Sequence, residues 1–253
     1  MSILLESGAL LLGLFAAMLV LLEVGRRIGR RRLMADATGA HSGVGALEGA
    51  VFGLMGLLLA FTFSGAATRF DGRRELILKE TNAIGTAWLR LDLLQEPARQ
   101  KLRMDFVHYV DLRLAATRTP TTAAAETIAR TQQRIWSQAV AVAGDSGDSK
   151  VAQLVLPALN EMFDVATERK VARETHPPPV VFVLLLVLAL ICSAMAGYGM
   201  AGSRTRSWLH ILCFAGSLLL AIYVILDLEF PRRGLIRVDR YDQMLVDLSA
   251  TMR

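Results

Sequence analysis

Apolar positions gather into four runs, Ile3–Val24, Ala46–Ala67, Val180–Ala201 and Trp208–Leu228. Each is about 20 residues, and at 1.5 Å per residue a helix of that length crosses a hydrocarbon core of about 30 Å. One such run could be a helix buried in a soluble core; four in one chain of 253 residues predict a membrane protein. The first run has no basic stretch before it and no small-residue cleavage pattern after it, so it reads as a retained span rather than a leader.

Between the second and third runs the pattern changes to helix formers with polar punctuation. Pro97 can open a helix at its first turn, the stretch Thr117–Thr122 contains Pro120, and Gly144–Ser149 is a polar turn. No strand-like alternation is sustained. Pro177, Pro178 and Pro179 then break the last of these helices at the membrane border. The expected architecture is all-α: spans one and two with an arginine-rich loop over 1–66, a helical extramembrane domain over 67–178, spans three and four over 179–230, and an amphipathic tail over 231–253. In the tail Pro231 ends a helix, Gly234 permits a turn, and Met244, Leu245 and Leu248 share a helical face for the membrane surface or the extramembrane domain.

The second span does not stop at the membrane. Leu59, Phe63, Ala66, Phe70, Arg73, Ile77, Glu80, Ile84, Ala87, Leu91 and Leu94 alternate spacings of four and three, which places them on one face of a single helix. That helix, expected over Ala46–Leu94, forms a stalk. Arg73 and Glu80 interrupt an otherwise apolar seam, where an unpaired charge is expensive, so partners on other helices are expected for both. They either line an ion path, fix an oligomer's register or pair within the domain. Asn82 points elsewhere and is matched with Asn160 or Glu161; Asp227 and Arg232 are further polar candidates.

At the start of the second span Gly45, Gly49 and Gly53 recur every fourth residue, a spacing that lets another backbone come close at a bundle centre, an oligomer axis or a pore. Glu6, Glu23, Glu48, Asp227 and Glu229 lie near span ends, where interfacial water can solvate them.

The formal charge of +5 sits beside membrane segments rather than on an aromatic-studded patch, so it marks topology and not nucleic acid. Arg26, Arg27, Arg30, Arg31 and Arg32, and then Arg204 and Arg206, place both short loops in the cytoplasm and the N-terminus and middle domain outside. Arg69, Arg73, Arg74, Lys79, Arg169, Lys170, Arg173, Arg232, Arg233, Arg237 and Arg240 favour the opposite orientation; the short loops weigh more. Cys192 and Cys213 fall inside spans and act as small apolar side chains. His41, His108, His176 and His210 are scattered, no serine sits in a nucleophile elbow, and the glycines near Gly43 do not lead into a phosphate loop. No enzyme, metal or cofactor is expected.

Several stretches together resemble the bestrophin-like domain family of bacterial integral membrane proteins: Gly45–Ala50, Leu58–Ser64, Arg69–Arg74, Glu80–Ala87, Leu159–Met162 and Asp227–Gly234. The family pattern has Glu-Ala-Asn where this chain has Glu80, Thr81 and Asn82. The resemblance implies kinship with pentameric anion channels whose long second helices line a pore, and a topology with the middle domain in the cytoplasm, against the short-loop reading. Two functions follow. One is a homo-oligomeric ion channel, anion-conducting on the resemblance, with Gly45, Gly49, Gly53, Phe63, Phe70, Arg73, Glu80 and Asn82 along its seam. The other is a non-conducting scaffold or sensor in the bacterial inner membrane, whose extramembrane domain binds a partner or signal; the lack of a mid-bilayer charge favours it.

Overall fold

A computed structural model describes residues 2–35, 44–119, 121–145, 149–203, 205–231 and 234–253. Among the described residues eight α-helices run in order: α1 Ser2–Ala35, α2 Val44–Arg90, α3 Ala98–Arg118, α4 Thr122–Asp145, α5 Ser149–Glu174, α6 Pro179–Gly199, α7 Trp208–Glu229 and α8 Asp239–Thr251. Among the described residues there is no strand. Four helices, α1, α2, α6 and α7, are long and apolar enough to cross a membrane. Arg204, Arg232, Arg233 and Pro120 lie outside the described residues.

The chain divides into two compact units, 1–70 with 176–236 and 71–175 with 237–253. In the first, Met18 and Leu22 of α1, Met55 and Ala66 of α2, Leu185, Ala189 and Cys192 of α6, and Ala215, Ile222 and Ile225 of α7 make the core. Its tightest crossing joins α1 to α6. A Cβ at Gly25 would overlap the Ala194 carbonyl, and one at Gly197 would overlap the carbonyl of Leu22. Two backbones in van der Waals contact gain dispersion energy that bulkier residues would hold apart.

This crossing corrects one sequence expectation. Arg26, Arg27, Arg30, Arg31 and Arg32 are not a loop but the last turns of α1, which continues to Ala35. Gly25 and Gly29 are both helical, and both face α6 and the turn after it. At 34 residues α1 is about 51 Å long, well beyond a hydrocarbon core of about 30 Å.

The second unit holds the remaining core: Ile84, Ala87 and Leu91 from the α2 end, Leu102, Phe106 and Tyr109 from α3, Ile135 from α4, Leu159 and Met162 from α5, and Leu245 and Met252 from the tail. Edge-on and tilted ring contacts link Trp88 to Phe106 at 5.8 Å, Phe106 to Tyr109 at 6.4 Å and Tyr109 to Phe163 at 6.1 Å. α8 packs into this core through Leu245, Leu248 and Met252, whereas Met244 points outward.

α2 is a single helix of 47 residues, about 70 Å, that contributes to both units. A short 3₁₀ turn, Leu91–Leu93, follows it. No proline interrupts it, and the 4-3 seam is buried at Ala66, Arg73, Ile77, Glu80, Ile84 and Ala87 on the helix and at Leu91 and Leu94 just past its end, while Phe63 on the same seam is exposed.

Candidate functional site

Glu80 is the most deeply placed charge on α2, with no exposed surface. Its carboxylate accepts from Nε of Arg113 on α3 at 2.7 Å and pairs with Arg169 on α5. Arg169 donates its other arm to Asp242 of α8 at 2.7 Å. Four helices therefore meet on two carboxylates and two guanidiniums, and each charge is compensated. Burial works against the Arg113 charge, but the Glu80 carboxylate and the neighbouring Tyr109 outweigh it and hold its pKa above the ordinary arginine value. Burial also pushes the Tyr109 phenol up to about 12.

Arg73, one helical turn pair earlier, is buried by a different means. Its Nε donates to the Ala172 carbonyl and its Nη2 to that of Thr175, both at 3.0 Å, capping the C-terminal end of α5. Those carbonyls lack intrahelical donors, and a cation complements the negative end of the helix dipole. Both seam charges are thus engaged within the chain and do not face its open side. Asn82 is exposed, as are Asn160 and Glu161, and Asn160 donates to Asp164 on its own helix at 2.8 Å rather than to Asn82.

In the membrane unit the charges near the end of α7 are also paired. Glu229, fully buried, accepts from Nε of Arg69 at 2.9 Å and meets Nδ1 of His176 at 2.9 Å, with the His176 ring 4.7 Å from that of Phe230. Asp227 accepts from the backbone N–H of Leu235 and Ile236 at 3.0 and 2.9 Å, which folds the chain after Pro231 back onto its helix. A Cβ at Gly234 would collide with that carboxylate. Arg232, expected as a partner here, lies outside the described residues. Glu229 and Arg69 are 160 residues apart, so no local sequence signal pairs them.

The opposite side of α2 is bare. Gly49, Gly53, Gly56, Ala60, Ser64, Thr68, Asp71, Glu75, Asn82 and Thr86 follow helical spacing and all are exposed. Among the described residues nothing lies within 4 Å of where a Cβ would stand at Gly45, Gly49, Gly53 or Gly56. These glycines therefore do not serve close packing within the chain; that role belongs to Gly25 and Gly197. Phe63 is 47% exposed on the flank of this face, and Phe70 is half-buried against the membrane core. The first charges on the bare face are locally balanced, Asp71 by Arg74 at 2.9 Å and Glu75 by Lys79 at 3.4 Å.

No group of three or more metal-ligating side chains converges among the described residues. The two cysteines are free, Cys192 buried and Cys213 exposed.

Comparison with known proteins agrees with this architecture. No curated protein matches the chain in sequence. A bacterial bestrophin homolog from Klebsiella pneumoniae, carrying a tyrosine-to-alanine mutation, shares the fold with a TM-score of 0.69 at 15% identity, over 92% of this chain and 98% of the other. The model of the bestrophin-like domain matches residues 12–242, from the first membrane helix into the tail helix. A match of that extent, on a membrane fold with the long second helix in place, makes this chain a member of the bestrophin-like domain family.

Proposed function

We propose that the chain is the subunit of a homo-oligomeric ion channel in which the bare face of α2 walls the conduction path. One observation carries the reading: within the membrane unit this face, Gly49 to Thr68, presents only glycine, alanine, serine and threonine at its centre, while the opposite side is packed. A surface meant for lipid is dressed in large apolar side chains, as Leu54 and Phe61 are beside it. Small residues and hydroxyls suit a neighbouring helix or water. Family membership and the shared fold support the same reading. The face carries no charge between Gly49 and Thr68, which is what favours a non-conducting scaffold or sensor as the alternative.

Flux separates the two. In a Cys213→Ser background, Ser64→Cys protein reconstituted in lipid vesicles conducts and is blocked by a water-soluble thiol reagent, while Cys192, being buried, does not react. Vesicles that stay sealed with an intact oligomer refute conduction. Reversal potentials in asymmetric chloride test the anion preference that the resemblance implies. The arginines at the end of α1 and in the α6–α7 connection favour that side as the cytoplasmic one of a bacterial inner membrane under the positive-inside bias. A reporter fused after Asp145 is then active outside; activity inside reverses the assignment.

A further inference from the structure

A second feature of the membrane unit is independent of conduction. Between the late turns of α1 and the α6–α7 connection lies a cavity of about 600 Å³. Leu19, Val20, Leu22, Val24 and Ile211 make an apolar wall, and Arg26, Arg27 and Arg206 stand at its polar end with Trp208 and His210. Among the described residues this end carries Arg26, Arg27 and Arg206, with Arg30 beside them, against two carboxylates, Glu23 in the lining and Glu48 near Gly199, so the balance stays positive.

Glu23 does not balance them. It takes Nε of Arg27 at 2.9 Å and also pairs with Arg206, so its capacity is spent on two. Arg26 is only 7% exposed, its Nε has no partner, and its Nη2 reaches the Ser203 carbonyl at 3.4 Å. Arg30 shares that same carbonyl at 3.3 Å. One carbonyl at long range compensates a buried guanidinium poorly, because removing such a charge from water costs several kcal/mol unless an anion or several acceptors meet it. Excess positive charge therefore persists beside an apolar slot. Trp208, under the Arg206 guanidinium at 4.9 Å, marks the depth at which membrane-interface aromatics settle.

From this combination we infer that the cavity binds an anionic phospholipid, its phosphate ester between Arg27 and Arg206 over Arg26, and the start of an acyl chain along Leu19, Val20 and Ile211. A soluble phosphate would satisfy the arginines and leave the apolar wall unused. A zwitterionic lipid would fill the wall and leave the charge in excess. Basic pockets between membrane helices recognise anionic headgroups in this way.

The test presents delipidated full-length protein with equal amounts of dioleoyl phosphatidylglycerol and dioleoyl phosphatidylcholine and counts retained lipid by native mass spectrometry. Phosphatidylglycerol is retained about tenfold or more over phosphatidylcholine. The preference falls to parity in the double variant Arg27→Gln, Arg206→Gln and returns with Lys at both positions. Arg26 is left in place because its burial ties it to folding. Should the double variant fail to fold, brominated-chain lipid gives a second readout on the unaltered protein: Trp208 is quenched more by phosphatidylglycerol than by phosphatidylcholine. Equal retention or quenching of the two lipids, an undiminished preference in the folded double variant, or displacement by millimolar inorganic phosphate each overturns the assignment.

Discussion

Replacing Glu80 by glutamine preserves its shape and one acceptor but removes the charge on which Arg113 and Arg169 converge. Their side chains are 16% and 13% exposed, so neither recovers full hydration. Removing one member of a buried ion pair costs about 3–5 kcal/mol. Because Arg169 keeps Asp242 at 2.7 Å, the lower end applies, about 3 kcal/mol. For a unit of this size 1 kcal/mol moves the midpoint by about 4 °C, so the variant melts about 10 °C lower. Intrinsic fluorescence suits the measurement, since Trp88 and Trp136 both belong to the extramembrane core and Trp88 contacts Phe106 at 5.8 Å. Glu75→Gln is the control, on the same helix but with its side chain 64% exposed, and it changes the midpoint by less than about 2 °C. Equal melting of Glu80→Gln and Glu75→Gln would refute the view that this cluster holds the four helices together. Replacing Glu80 and Arg113 together by methionine should recover part of the loss, because Arg113 no longer stands opposite an empty place and Arg169 still has Asp242.

Two further outcomes follow from the packing. Gly25→Val or Gly197→Val costs about 3 kcal/mol or more by forcing α1 and α6 apart, read as loss of the monodisperse peak in detergent, whereas Gly144→Ala, exposed on α4 with open space around it, leaves that peak unchanged. Tyr109, whose phenol titrates at about 12 in the fold against about 10 when unfolded, keeps its proton in the native state while the unfolded chain releases it. The unfolded state then binds fewer protons, so stability is whole below pH 10 and falls as pH rises from 10 toward 12, by up to about 2–3 kcal/mol. Ultraviolet difference absorbance should show one of the four phenols titrating late; four phenols titrating together near pH 10 would contradict its burial.

How much of this was legible in the sequence depends on the range of each interaction. The four spans are read from local apolarity, and the buried seam from its 4-3 spacing, because both are properties of one helix. The partners of the seam charges are not: Arg113 and Arg169 lie 33 and 89 residues from Glu80, and a sequence states that a buried charge requires a partner without naming it. The end of α1 was misplaced for the same reason. Gly25 and Gly29 weaken a helix considered alone, and only contact with α6 and the turn after it makes them favourable there. Gly45, Gly49 and Gly53 at the start of α2 carry the converse lesson, since their spacing is as regular as that of any packing motif and, among the described residues, the chain places nothing against them. On one helix, then, two faces of equal regularity part company: one is filled from within the chain by Ile77, Glu80, Ile84 and Leu91, and the other, Gly49 through Thr68, is left with neither a neighbour nor the large apolar side chains that lipid favours. Under the channel proposal such a surface is completed by another subunit or by water, and in a ring of subunits the same face would meet both.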